Sequence, residues 1–466
     1  MGATLLSQPT FHSSPGPAPV APKRPVTTTA HGVTLVDDYA WLRDENWRDV
    51  LRDPGKLAPD IRTILDAENA YCAATLAPLE DLRATMLKEM RGRIKEDDAD
   101  PPLPDGAYEY YDRFRQGGQH RIFCRRKRQS SEEQILIDGD AQASGKAFFS
   151  LAAAAVSPDH ARLAWSADEK GSEYYTIRVR DLANGEDGAE AVPDTDGSVV
   201  WSRDGKSFLY VRLDENHRPK RVYRHALGAP VETDALVFEE KELGWSVDIS
   251  RSRSRDYCVI DVSDHDSREV WLIDLGKADA APTIVEPRKR GQRYDVEPHR
   301  DKLFIRANTD GAEDFKIVEA PIAAPGRANW RDVVPHKPGR LIAGMTLFQD
   351  FLVRLEREEG LPRIVVREIA SGAEHAIAFD EEAYALFMSG VREYATDTMR
   401  FAYSSMSTPR ETYDYDMRRR RRTPVKRQEL PSGHNPADYV TRRILAPSHD
   451  GALVPISLVD RKSTRL

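Results

Sequence analysis

The sequence predicts a mainly β protein, a seven-bladed β-propeller with a short helical segment ahead of it. Three observations carry that prediction. A turn–strand–loop–strand unit recurs six times from Val156 to Met417, and a seventh copy stands before them at Tyr108-Glu109-Tyr110-Tyr111 with Arg121-Ile122-Phe123-Cys124. Leu163, Leu209, Val259, Phe304, Leu352 and Ala402, read as inner-strand positions, recur at roughly 45–50 residues, the spacing of a four-stranded blade. Apolar residues at helical spacing are concentrated between His31 and Ile94. A small sheet cannot bury both faces alone, so radial stacking is what makes such repetition stable.

The elements follow in order. Residues 1–25 are rich in Pro, Ala, Ser and Thr and have no basic stretch followed by an apolar one, so they read as a disordered leader. Residues 26–104 read as a helical N-terminal segment. Ile61, Ile64, Leu65, Glu68 and Tyr71 share a helical face with Asp60 as N-cap, and Pro78 breaks that helix. A second helix from Leu79 carries Leu82, Met86, Leu87 and Met90 on one face. Two helices are too few for a core of their own, so they must dock on something. Pro101-Pro102-Leu103-Pro104-Asp105-Gly106 ends the helical region, and residues 105–430 hold the propeller. Clear copies are Trp201 to Tyr210 with Arg221 to Arg224, and Tyr257 to Ile260 with Glu269 to Ile273. Residues 431–466 form a separate closing segment.

Composition bounds the function. A hydrophobic content of 40% with 31% charged residues is that of a globular chain with ample core, and the net charge of −8 gives no sign of a nucleic-acid surface. No apolar run approaches the roughly 20 residues that span a bilayer, so no membrane partner is expected and the cytoplasm is the expected location. Cys72, Cys124 and Cys258 are far apart and read as reduced core residues.

Candidate chemistry is sparse. A serine hydrolase of the α/β type needs G-x-S-x-G, because its nucleophile sits on a turn that only small neighbours permit. Gly205-Lys206-Ser207-Phe208-Leu209 comes closest, fails at the last glycine and reads as a blade turn. The twelve histidines show no H-E-x-x-H spacing, and Asp261-Val262-Ser263-Asp264-His265-Asp266 lacks the glycine and terminal Glu of a calcium loop. The first reads against zinc and the second as a polar interstrand loop. Arg418 to Arg422 reads as a solvated turn after the last blade, and His449-Asp450-Gly451 as a hairpin turn. The expected catalytic, cofactor-binding and metal residues are therefore none.

Asp37-Asp38-Tyr39-Ala40-Trp41-Leu42-Arg43-Asp44, followed by Glu68-Asn69-Ala70-Tyr71, resembles the opening of prolyl oligopeptidase-type serine peptidases. Gly171 to Leu182, Leu213-Asp214-Glu215-Asn216-His217-Arg218-Pro219, Ser404 to Pro409 and Asp450 to Val459 are similar to the oligopeptidase B branch, in family order from about residue 22 to 460. The resemblance implies a cytosolic serine endopeptidase that cleaves short peptides after Arg or Lys without a cofactor. It also implies a propeller that gates an α/β-hydrolase domain, and makes 431–466 the first strands of that domain, incomplete here. The family's nucleophile elbow, Asp and His have no matching positions before Leu466, so the chain reads as truncated before the triad and inactive alone. Helices 60–94 and strand 439–460 are then expected to expose apolar faces meant for the missing domain. The alternative reading is a stand-alone propeller used as an interaction scaffold.

Overall fold

The computed structural model describes residues 16–462, which fall into two compact units meeting between Ile94 and Lys95. Positions 1–15 of the expected leader and the last residues from Ser463 lie outside the described residues.

The first unit does not begin with a helix. Val26–Ala30 and Val33–Asp37 pair antiparallel as a hairpin, closed by His31 (φ 52) and Gly32 (φ 77). The reason is local: three consecutive threonines favour extended backbone, and two left-handed residues suit the tight turn that joins twisted strands. Helix α1 (Trp47–Arg52) and helix α2 (Pro59–Leu76) follow. Pro59, pre-set for a first helical position, moves the N-cap to Ala58. Asp60 therefore sits inside the first turn, where it meets Arg24 at 2.6 Å instead of capping. Pro78 ends the helix in a 3-10 turn, and helix α3 (Glu80–Arg91) leaves Leu82, Met86, Leu87 and Met90 each more than half exposed.

The second unit is a β-propeller. Five free-standing four-stranded sheets span residues 103–138 (sheet I), 246–286 (III), 294–334 (IV), 340–376 (V) and 385–427 (VI), and sheet II (150–239) has eight strands. The seven separate blades expected from the repeat are therefore corrected to five and one double-width sheet. The repeats of Leu163 and Leu209 merge because Asp187–Thr195 ends against Ser207–Leu213, pairing Thr195 with Arg212. Gly197 (φ 93) makes the crossing possible, since a Cβ there would lie 2.6 Å from that of Ala152.

A recurring serine closes the turns. Ser157 Oγ accepts the Arg162 N–H, Ser202 Oγ that of Ser207 and Ser252 Oγ that of Tyr257, so one hydroxyl satisfies the backbone donor that opens the next strand. Period-two alternation then sends neighbouring side chains to opposite faces. Leu163, Trp165 and Ala167 pack towards sheet I, while Ala164 packs on Trp201 and Phe208. Leu163, Leu209, Val259, Phe304, Leu352 and Ala402 are all buried, but they lie on the second strand of each repeat, not the first.

Apolar clusters join I to II, the two halves of II to each other, II to III, III to IV, IV to V and V to VI. Among the described residues none joins VI to I. Beyond the sheets, Tyr439–Pro447 and Leu453–Arg461 form a two-stranded hairpin turned by Asp450 and Gly451 (φ 83), with Ile444, Leu445, Leu453 and Val454 exposed.

Candidate functional site in the propeller tunnel

The first strands of the repeats converge on the axis of the ring. Asp105, Val156, Trp201, Arg251 and Arg392, from the ends or just beyond the ends of five such strands, border one cavity of about 240 Å³. Arg253 and Arg255, in the turn after Ser246–Arg251 of sheet III, reach residues that no apolar cluster brings to that sheet. Arg253 donates to the carbonyls of Val391 and, at 2.9 Å, Glu393; Arg255 donates to Asp105 Oδ1 at 2.6 Å and to the Arg392 carbonyl at 2.9 Å. These bonds cross the ring and narrow one end of the tunnel.

Carboxyl groups cluster on sheet III and its neighbours. Asp248 is exposed on the first strand of sheet III, near Asp196 and Asp261, and Asp295 lies near Asp261. Burial pushes Asp196 up to about 6 against the Ser198 hydrogen bonds, with Asp248 adding repulsion. Asp261 is pushed up to about 6 by burial despite Arg268 at 3.1 Å. Burial lifts Glu297, which accepts the Arg253 N–H at 3.2 Å, to about 7.

A carboxyl whose folded pKa exceeds its unfolded value binds its proton more tightly when folded, so its stability contribution declines as pH rises through that window. Glu297→Gln is therefore expected to gain stability relative to the unchanged chain as pH rises from 5 to 8, by about 2 kcal/mol. Paired urea melts at the two pH values measure it. A difference that is flat, or that falls with pH, defeats the assignment. The paired difference is needed because burial pulls His160, His299 and His375 below the usual imidazole value, which favours the fold at higher pH.

The seam between sheets VI and I is polar. Arg400 donates to the carbonyls of Pro101 (2.8 Å) and Pro102 (3.0 Å) and pairs with Asp414 at 2.7 Å. Lys426 holds Asp98 and, at 2.7 Å, the Ala99 carbonyl; Lys95 meets Glu429 at 2.8 Å; Arg128 pairs with Glu393. A cavity of about 520 Å³ lies along this seam, bordered by Asp98, Asp100, Arg121, Arg400 and Arg410. Among the described residues, the ring is closed by charge and by hydrogen bonds to backbone carbonyls, neither by an exchanged strand nor by an apolar cluster.

The sequence motifs fall away from the tunnel. Gly205 (φ 67) turns the chain into Ser207–Leu213, and Asp264 accepts the N–H groups of Asp266 and Ser267 in an interstrand turn. Arg418 to Arg422 spans the last hairpin within sheet VI, not beyond it, where Arg418 pairs with Asp397 at 2.9 Å and Asp350 at 3.1 Å. Cys124 and Cys258 are buried free thiols, whereas Cys72 is exposed on helix α2 and is no core residue. His225 Nδ1 lies 2.8 Å from Asp234 Oδ1, fully buried beside Phe208. Among the described residues, no serine hydroxyl is hydrogen-bonded to a histidine held by a carboxylate, and no group of three or more His, Cys, Asp or Glu could hold a metal ion. No helix among them is long and apolar enough to cross a membrane. The tunnel arginines were missed, although Arg251-Ser252-Arg253-Ser254-Arg255, with arginine at alternate positions just after a strand, was a visible signal.

This ring of short sheets matches known proteins. The sequence profile described as "Prolyl oligopeptidase, N-terminal beta-propeller domain" covers residues 19–428. The chain belongs to the prolyl oligopeptidase family. It is 34% identical to the dipeptidyl aminopeptidase BI of Pseudoxanthomonas mexicana over 97% of its own length and 63% of that protein's. It is 27% identical to protease 2 of Moraxella lacunata, over 95% and 63%. The chain thus spans less than two thirds of the length of these peptidases. Among solved structures, oligopeptidase B of Leishmania major superposes with a TM-score of 0.88 at 28% identity, over 97% of this chain and 66% of that one. The closed, antipain-bound oligopeptidase B of Trypanosoma brucei gives 0.87 at 29% identity over the same shares.

Proposed function

We propose that this chain is the propeller region of a serine oligopeptidase that hydrolyses short peptides after Arg or Lys, the ring limiting which peptides reach an α/β-hydrolase domain. The observation that carries it is Asp248, an exposed carboxylate on the first strand of sheet III, with Asp196 and Asp261 close to it. An exposed carboxylate on that strand attracts cationic peptides and repels acidic ones. The likeness to two oligopeptidase B structures supports the same substrate class. Helix α3 and the hairpin 439–461 are assigned to the hydrolase domain, because their exposed apolar side chains need a partner surface. A stand-alone scaffold has no use for those faces, which weighs against the interaction-module reading.

Catalysis in this reading needs a nucleophile, a base and an orienting carboxylate in one hydrogen-bonded chain. The 466 residues are proposed to lack that chain and to turn over no substrate by themselves. Incubation with an Arg-containing chromogenic peptide is expected to give no hydrolysis, and a serine-directed reagent no stoichiometric label. Turnover together with labelling would refute the proposal. The specificity half is tested by fluorescence anisotropy with an Arg-containing peptide and its Glu-containing counterpart. The basic peptide is expected to bind better, with the preference reduced by salt and by Asp248→Asn. Equal binding of both peptides sinks the cationic-substrate reading.

The 34% identity to a dipeptidyl aminopeptidase favours a second reading, in which dipeptides are released from free N-termini. An N-acetylated peptide separates the two in a hydrolase-bearing form of the protein, since only internal cleavage tolerates the blocked end.

A further inference from the structure

The axial cavity of about 240 Å³ gathers more positive charge than it balances. Four guanidinium groups meet there: Arg251 and Arg255 border the cavity, Arg392 faces them from sheet VI, and Arg253 stands behind. The carboxylates facing them are Asp105, which pairs with Arg255, Glu297 beside Arg253, and Asp112 at longer range from Arg392. Burial lifts Glu297 to about 7, so at neutral pH it neutralises Arg253 only in part.

Two of the four arginines have evident structural partners. Arg253 and Arg255 spend their donors on the carbonyls of 391–393 and on Asp105. Arg251 and Arg392 do not. Among the described residues, none accepts a hydrogen bond from either guanidinium, and Arg392 Nε is buried without a partner. Arg392 lies over the Tyr110 ring at 4.6 Å, which fixes its plane but leaves its edge donors free. Burial and the three neighbouring arginines pull Arg251 down to about 10, still charged at neutral pH. Both side chains are partly buried; a partly desolvated cation without an acceptor is costly, and a planar guanidinium edge matches two oxygens of a carboxylate or phosphate.

We propose that the cavity bordered by Arg251, Arg255 and Arg392 is a binding site for a small oxyanion, a phosphate or a carboxylate, held between the free edges of Arg251 and Arg392. Water could occupy the volume, at about 30 Å³ a molecule, but it cannot neutralise the surplus charge. The bound anion bridges sheets III and VI across the axis, so occupancy tightens the narrow end of the tunnel. The site does not depend on the peptidase reading and is testable on the 466-residue chain itself.

Sodium phosphate and sodium acetate are titrated separately at pH 7.5 and constant ionic strength, with chloride as the replaced ion, and the melting temperature and binding heat are followed. Saturable stabilisation by at least one anion is expected, weakened at least tenfold in Arg251→Gln and in Arg392→Gln. A response to phosphate alone assigns free phosphate, and one to acetate alone or to both assigns carboxylate-type recognition. Arg410→Gln, which borders the seam cavity and not the axial one, is expected to bind as the unchanged chain does. Should Arg251→Gln fold poorly, Arg251→Lys keeps the charge but loses the two-pronged edge, and an intermediate loss of affinity is expected. No saturable response to either anion in the unchanged chain overturns the proposal, and so does a response that survives at full strength in both folded Arg251 and Arg392 variants.

Discussion

Phe401→Ala is expected to cost about 3–5 kcal/mol of stability, the range for deleting a large aromatic from a packed core. Phe401 is fully buried in the cluster that joins sheets V and VI, stacked on Tyr413 at 5.4 Å and edge-on to Phe379 at 5.8 Å. The backbone on both sides is tied into a ladder with Phe387–Ser389 and Thr412–Asp414, so the site cannot collapse to fill the void. Urea unfolding measures the loss; a cost under about 1 kcal/mol would mean that the V–VI interface carries little of the fold.

Arg400→Ala is expected to cost less, about 2–3 kcal/mol, and to do something Phe401→Ala does not. The two residues are neighbours on one strand and so face opposite sides of sheet VI. Phe401 faces apolar sheet V; Arg400, itself buried, faces sheet I and supplies the carbonyls of Pro101 and Pro102 with their donors. Removing it leaves those carbonyls and the Asp414 carboxylate without partners, in a seam that has no apolar cluster to hold it. Amide exchange is therefore expected to accelerate in residues 103–138 and 385–427 ahead of the remaining sheets. Arg400→Lys should recover only part of the stability, since an ammonium cannot serve Asp414 in two-pronged fashion and reach both prolines. Exchange that rises evenly round the ring would mean that the seam is not the weak joint.

Helix α3 and the hairpin 439–461 bear on the same molecule from another side. Leu82, Met86, Leu87 and Met90 form an exposed stripe, and the hairpin exposes apolar side chains on both faces, Ile444 and Val454 on one and Leu445 and Leu453 on the other. Such stripes on an isolated chain promote association, and only a partner surface of matching chemistry removes the hazard.

Much of the fold was legible in the sequence, and its limits have physical causes. The second strands of most repeats announce themselves because both their faces are buried, as in Arg162–Asp168 and Tyr257–Ser263. The first and fourth strands do not. Val200–Trp201 is two residues long, and Ala235–Glu239 and Arg421–Arg427 lie mostly exposed, so neither carries a readable apolar period. The hairpin at 26–37 was hidden by threonine, whose hydroxyl masks a β-branched side chain in any hydrophobicity count. The axial arginines could be read only as an alternating run, because each is ordinary in its own segment and gains meaning from neighbours about 150 residues away.

The repeat, the β class, the two helices ahead of the propeller and the family resemblance could all be read from the chain's order of residues. All of these rest on local spacing, which a linear string preserves. That two repeats fuse into one sheet, that the ring closes through Arg400 and Lys426, and that Arg251 and Arg392 meet across an axis emerges only in three dimensions. Those outcomes depend on which side chains converge when the sheets close around a point, and convergence at an axis has no counterpart in sequence order.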